Sequence, residues 1–180
     1  ATVMAYTFHN AYTFDQNIDS WQTGKVKSVQ GMFGMTHGAS VYNQPLNSWQ
    51  TENVADFGGM FYSSGWGLNH TFDQPLDTWR TTAATDMSDM FRSRAYNQPL
   101  NSWQTENVTS FTYMFAGARI YNQPLDSWQT TAATDMQALF SGAKAFNQPL
   151  NAWQMGSVTS MRSMFSYADE FNQPLNSWQT

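Results

Sequence analysis

Hydrophobic positions recur along the chain in blocks of about 25 residues, and polar segments separate the blocks. In the block that begins at Tyr96, the second half carries apolar side chains at offsets of three, six, seven and ten, from Val108 to Ala118. Offsets of this kind place the side chains on one face of a helix. The pattern therefore predicts a short helix in every block.

An aromatic residue followed by Asn-Gln-Pro-Leu, or a close variant, marks where each block begins. The full repeats begin at residues Phe14, Tyr42, Phe72, Tyr96, Tyr121 and Phe146. All six prolines fall in one column of this alignment, and seven of the eight tryptophans fall in another. The prediction is one domain, residues 1–180, in which a half-repeat at 1–13 precedes the six repeats and a half-repeat at 171–180 follows them.

The first half of each repeat is predicted to form a short strand. The segment from Leu100 resembles the frame Leu-x-x-Leu-x-Leu of leucine-rich repeats, with Trp103 and Thr105 in place of two leucines. Threonines such as Thr109 stand where a hydroxyl can accept a backbone N–H at a helix start. The predicted fold is an α/β repeat. It is a right-handed leucine-rich-repeat-like solenoid with one short strand and one short helix in each of about seven coils, without capping units.

The composition follows from the repeat. Charged residues make up 12% of the chain and aromatic residues 16%, and the formal net charge is −5. This combination differs from the charged, aromatic-poor composition of disordered chains. The lack of cysteine excludes disulfides, thiolate metal sites and cysteine nucleophiles. The acidic balance argues against a nucleic-acid partner, and no apolar run is long enough for membrane insertion.

The repeat pattern Phe-Asn-Gln-Pro-Leu-Asn-x-Trp-x-Thr-x-x-Val-x-x-Met-x-x-Met-Phe resembles a known family. It is similar to the surface-protein repeat of the BspA-like leucine-rich-repeat class, a mycoplasma-type domain of unknown function. The resemblance covers nearly the whole chain. It implies a solenoid of a secreted or cell-surface protein that binds partners or builds surface layers, and no enzymatic activity. Each tryptophan is followed by Gln, or once by Arg80, where the family pattern has Asp, so a role of that acidic column does not transfer.

Residues that could carry catalysis are few. The three histidines, His9, His37 and His70, all lie in the first 70 residues, outside the regular repeat pattern. No spacing typical of a hydrolase triad, a zinc protease or a nucleotide-binding loop is present. The sequence therefore predicts a protein that is not an enzyme and that needs no cofactor.

Two pairs of aspartates flank the polar turn. Asp15 and Asp19 form one pair, and Asp73 and Asp77 the other, and such carboxylates can bind calcium. The alternative is hydrogen bonding along the stack, because most repeats carry Asn at these positions. Calcium sites need six or more oxygen ligands, so no metal site is predicted.

Two adjacent repeats carry insertions in the same loop. The repeats that begin at 14 and 42 are 28 and 30 residues long, with the surplus at 34–41 and 62–71. Neighbouring repeats would place these insertions side by side, in a rim that contains Met35, His37, Trp66 and His70. The rim is a candidate ligand site, and the alternative is a loop that packs on itself.

The residues that follow the core tryptophans form a second candidate site. On the predicted strands they point away from the core and could bind a glycan or an extended partner. They include Gln50, Arg80, Gln104, Gln129 and Gln154. The alternative is a solvated row in which the amides bond to one another. Separately, Asn69 and Asn107 lie in Asn-x-Thr sequons and are possible glycosylation sites.

The two half-repeats are complementary. Their apolar residues are Met4, Phe8, Ala11, Phe171, Leu175 and Trp178. A second copy that docks head to tail would complete one repeat, and a contact of this kind can build a filament. The alternative is that the chain is part of a longer array. We expect a non-enzymatic, extracellular structural protein that forms a filament or surface layer. The alternative function is adhesion or recognition of a glycan or protein.

Overall fold

The computed structural model describes residues 2–64, 70–93 and 95–179. Successive repeats lie on one another in register. Two short strands are present in these ranges, β1 at Thr2–Val3 and β2 at Val26–Ser28, and they pair in parallel. The described residues contain no helix. The predicted α/β leucine-rich-repeat-like solenoid, with a strand and a helix in each coil, is therefore wrong.

Single parallel bridges continue the pairing of β1 and β2 through the later repeats. The bridged residues, in order along the stack, are Ser28, Asp56, Asp86, Ser110, Asp135 and Ser160. Each repeat contributes one residue to this ladder, so the pairing is regular along the stack without strands of ordinary length. The strand predicted through Trp103 and Thr105 is not present.

Consecutive turns occupy the place of the predicted helix. The N–H groups of Tyr113 and Phe115 donate to the carbonyls of Gln137 and Leu139 in the next repeat, both at 2.9 Å. The N–H of Met114, between them, donates three residues back. A helix needs every N–H for the carbonyl four residues earlier, and here every second one bonds to a neighbouring repeat. The apolar spacing is satisfied by successive turns of three residues.

A left-handed backbone conformation recurs at one position in every repeat, which also interrupts any helix, and a second left-handed residue follows four positions later at Asn10, Gly117, Gly142 and Tyr167. The first position forms the left-handed column, whose φ angles lie between 52° and 60°. Its members are Tyr6, Gly31, Gly59, Asp89, Tyr113, Ala138 and Ser163. Most of them are not glycine, so the sequence gives no sign of the reversal. The stacked repeats hold it in place.

Threonines that were predicted to cap helices instead join the repeats. The hydroxyl of Thr109 donates to the carbonyl of Thr85 at 3.1 Å, and Thr134 donates to Thr109 at 3.2 Å. Asp135 accepts the N–H of Gln137, two residues later, at 2.8 Å. The capping prediction is therefore wrong, because these side chains stabilise turns and contacts between repeats.

The core consists of aromatic and aliphatic columns that run along the stack. Neighbouring phenylalanines are nearly parallel, as for Phe115 and Phe140, whose centroids are 5.7 Å apart. Trp128 and Trp153 are 6.1 Å apart in the tryptophan column. The indole N–H of Trp128 also donates to the carbonyl of Leu100 in the preceding repeat, at 3.0 Å. From Trp49 to Trp178, each indole of this column packs against the core and donates to a carbonyl of the preceding repeat, whereas Trp21 is exposed.

Candidate functional site

A ladder of side-chain amides and carboxylates joins the polar turns. The Asn97 side chain accepts the N–H of Asn122 at 3.0 Å. Asp15 and Asp73 occupy the same column and accept the N–H groups of Asn43 and Asn97. These aspartates therefore make the bonds that asparagine makes in other repeats. Within residues 2–64, 70–93 and 95–179, no group of three or more His, Asp or Glu side chains could hold a metal ion.

The residues that follow the core tryptophans form an exposed row. Gln50, Arg80, Gln129 and Gln154 are exposed, and Gln104 is half-buried. The Gln104 side chain accepts the N–H of Thr81 at 3.1 Å and donates to the carbonyl of Ser102 at 2.6 Å. Gln154 makes the equivalent bonds to Thr130 and Ala152. Both side chains bond to backbone groups, whereas the alternative interpretation expected bonds between the side-chain amides of neighbouring repeats.

The two insertions contact each other. Met35 and Ser63 form a parallel bridge, and the Ser64 hydroxyl donates to the carbonyl of Thr36. His37 is exposed, whereas Met35 is buried. Trp66 and the possible glycosylation site Asn69 lie outside the described residues. Of the predicted rim, the structure therefore describes only His37 as an exposed side chain.

His70 is part of the core. Its Nε2 lies 3.2 Å from the carbonyl of Phe33, and its Nδ1 accepts the N–H of Phe72 at 3.3 Å. These two bonds assign the hydrogen of the neutral ring to Nε2. Burial lowers the pKa of His70 to about 4. The ring is neutral at physiological pH and has no free nitrogen to offer a ligand.

The second sequon is on the surface. Asn107 is exposed, and its side-chain amide donates to the carbonyl of Thr82 at 3.0 Å. The bond belongs to the contacts between repeats.

The structure contains a groove that the sequence did not indicate. It encloses about 360 Å³ on the side of the stack that carries the left-handed column. Gly31, Gly34, Gly58 and Gly59 line its floor. The sequence signal was the group of glycines at positions where other repeats carry side chains, but glycine is equally common in turns.

A fixed arginine lies at one side of this glycine-floored groove. Arg92 donates to Asp89 at 3.0 Å, and its guanidinium lies 5.5 Å and 4.9 Å from the ring centroids of Tyr62 and Tyr113. Burial raises the pKa of Asp89, and the bond to Arg92 partly opposes that change. The guanidinium is thus held between two aromatic rings, a geometry that favours a cation.

The sequence profile of one protein family matches the chain twice, over residues 1–93 and 66–178. The family is described as "Mycoplasma protein of unknown function, DUF285". The chain belongs to this family. No curated protein and no solved structure matches the chain significantly. In the part of this DUF285 chain that the structure describes, no helix is long and apolar enough to cross a membrane.

In the first and last repeats of this DUF285 chain, the core columns reach the two ends of the described stack. The apolar side chains predicted to mediate assembly are all half-buried, namely Met4, Phe8, Ala11, Phe171, Leu175 and Trp178. Their counterparts in interior repeats, such as Leu150 and Phe146, are fully buried. The end repeats therefore expose apolar surface that an adjoining repeat covers elsewhere.

Proposed function

We propose that the chain is a non-enzymatic structural repeat protein that associates head to tail into a continuous stack, as a filament or a surface layer. The adjoining repeat comes from a second copy or, in a longer chain, from neighbouring repeats of the same chain. The observation that carries the proposal is the match between the backbone groups of the two end repeats.

Donors of the connecting ladder are open at one end of the stack. In interior repeats, the N–H groups of Ala138, Phe140 and Gly142 donate to the following repeat at 2.7 to 2.9 Å. The equivalent groups one repeat later belong to Ser163, Phe165 and Tyr167. Within the described residues, these N–H groups have no partner. An unpaired amide favours a contact that supplies a carbonyl.

Acceptors are open at the other end. The carbonyls of Gln30, Met32 and Gly34 accept N–H groups from the preceding half-repeat. Their equivalents in that half-repeat are Ala5, Thr7 and His9. These three carbonyls have no hydrogen-bond partner in the described part of the chain.

The open N–H groups at one end therefore match the open carbonyls at the other end. A second copy in the register of the interior repeats would place the three N–H groups opposite the three carbonyls. The pairs would be Ser163 with Ala5, Phe165 with Thr7, and Tyr167 with His9. Three hydrogen bonds would form. The half-buried apolar columns would be covered at the same time, and burial of apolar area contributes about 25 cal/mol per Å².

An extracellular or cell-surface location is part of this proposal. It draws on the finer resemblance to BspA-like surface repeats, which goes beyond the shared DUF285 family.

Sedimentation velocity of the purified chain tests the proposal. We expect species that grow with protein concentration, and rods in negative-stain images. Leu175→Lys places a charge on one end and should abolish the rods. Thr131→Lys adds the same charge at an exposed interior position and should not. A monodisperse monomer at high concentration, or equal assembly of both variants, would contradict head-to-tail association.

Recognition of a glycan or protein is the second candidate function. The observation that favours it is the row of exposed side chains at Gln50, Arg80, Gln129 and Gln154. The double variant Arg80→Ala and Gln129→Ala should weaken binding on a glycan array without changing sedimentation. Unchanged binding would exclude this row as the contact surface.

A further inference from the structure

We propose that the glycine-floored groove binds an uncharged sugar ring. The groove uses different columns from the exposed glutamine row, and it does not depend on head-to-tail association. Three features support this inference: the open position at Gly59, the aromatic sides and the balanced charge.

The floor is flat because glycines take the place of side chains in two adjacent repeats. In the left-handed column, other repeats carry Asp89, Tyr113 or Ala138 where these two carry Gly31 and Gly59. The N–H of Gly31 donates to Gly58 at 2.8 Å, and that of Gly59 donates to Ser88 at 2.7 Å. The Tyr6 ring covers Gly31, whereas the space above Gly59 is open, so a ligand ring can approach the fixed peptide plane at Gly59 closely.

Aromatic rings bound the floor. The Tyr6 ring lies beside Gly31, where a Cβ would be 2.4 Å from Tyr6 Cε1. Tyr6 is nevertheless 53% exposed, so its ring is available to a ligand. Tyr62 lines the groove as well and packs against Arg92. The electron-rich faces of such rings attract the weakly positive C–H groups of a sugar.

The polar groups around the floor indicate a neutral ligand. Asp89 and Arg92 form an ion pair, so the pair adds no net charge while it offers both acceptors and donors. Thr36 and Ser88 add hydroxyl groups. A sugar ring can use donors and acceptors together, whereas an anion would compete with Asp89 for Arg92. A volume of 360 Å³ lies at the lower end of the range of about 300 to 1,000 Å³ typical of ligand pockets.

One buried nitrogen at the groove has no partner. His9 lines the groove, and its Nδ1 is buried without a hydrogen bond within the described residues. The ring meets Tyr6 edge to face, with centroids 5.4 Å apart. Because solvent does not reach this nitrogen, His9 contributes its ring to the wall of the groove and not a hydrogen bond to the ligand.

Ligand-observed saturation-transfer NMR tests the inference, because it works on both monomers and assemblies. The probes are the methyl glycosides of glucose, galactose, mannose and N-acetylglucosamine, with inorganic phosphate as a competitor. We expect transfer to at least one glycoside that phosphate does not compete away. Gly59→Tyr should weaken that binding about tenfold or more, since the new ring fills the floor.

The control is Ser163→Tyr, which introduces the same side chain at an exposed position of the same column, outside the groove. Tyr6 and Tyr113 show that the column accepts tyrosine at positive φ. This variant should bind the glycoside as the unmodified chain does. Three results would overturn the inference: no transfer to any of the four glycosides, displacement of the glycoside by phosphate, or equal binding by Gly59→Tyr and the unmodified chain. None of these results depends on whether the chain forms rods.

Discussion

Tyr96 and Tyr121 are neighbours in one aromatic column, with ring centroids 6.4 Å apart, and the hydroxyl of each is buried without a hydrogen-bond partner in the described residues. Burial raises the pKa of both side chains above the usual tyrosine range, which keeps them neutral. Phe72 and Phe146 occupy the same column in the adjoining repeats. The column thus accommodates a ring without the hydroxyl.

We therefore predict that Tyr121→Phe stabilises the fold. An unpaired buried hydroxyl costs about 1 to 3 kcal/mol, and phenylalanine removes that cost without leaving a large cavity. The measurement is the free energy of unfolding in urea. Tyr113→Phe is the control, because its hydroxyl accepts a bond from Gln137 at 2.8 Å. A loss of stability in Tyr121→Phe would show that a bound water satisfies the hydroxyl.

A second prediction concerns the buried threonines that link adjacent repeats. The Thr105 hydroxyl donates to the carbonyl of Gln129 at 3.0 Å and accepts its N–H at 2.9 Å. Thr105→Val keeps the shape but removes both bonds to the part-buried backbone of Gln129, and at about 0.5 to 1.5 kcal/mol per bond we expect a loss of about 1 to 3 kcal/mol. Thr131→Val, at an exposed site, should change stability much less. Similar urea midpoints for the two variants would contradict a role for this ladder.

The columns of the core could be predicted from the sequence, because a repeated apolar position must be buried in every repeat. Phe115, Leu125 and Trp128 are examples, and all three are buried. The local conformation could not be predicted in the same way. Offsets of three and seven suit a helix and also suit successive turns, and only the bonds to the next repeat distinguish them.

The left-handed column and the groove were beyond sequence reasoning for related causes. Tyrosine and alanine rarely adopt positive φ, so the residue types at Tyr113 and Ala138 do not indicate a left-handed conformation. The groove depends on the lack of side chains at Gly31 and Gly59. This lack forms a groove only because the two glycines lie in adjacent repeats. Their alignment follows from the stacking, which local sequence does not show.

A third prediction follows from the buried histidine. The pKa of His70 is about 4 in the folded chain and about 6.5 when unfolded, so the folded state favours the neutral ring. Its full contribution is present above pH 6.5 and is lost as the pH falls toward 4, a change of about 3 kcal/mol. The free energy of unfolding should decrease between pH 6.5 and 4 in His37→Gln, as in the unmodified chain. In His70→Gln this decrease should be absent. An unchanged decrease in His70→Gln would assign the pH dependence to other groups.

The last prediction concerns strain in the left-handed column. Ser163 has a φ of 58° and is exposed, so its side chain gives little packing in return for that conformation. Ser163→Gly removes a steric cost of about 1 to 2 kcal/mol, partly offset by the greater entropy of unfolded glycine. We expect a net gain of up to about 1 kcal/mol in the free energy of unfolding. Ser157→Gly, exposed and without a positive φ, should lower stability instead. If both variants lose stability equally, neighbouring repeats hold the turn without strain at this position.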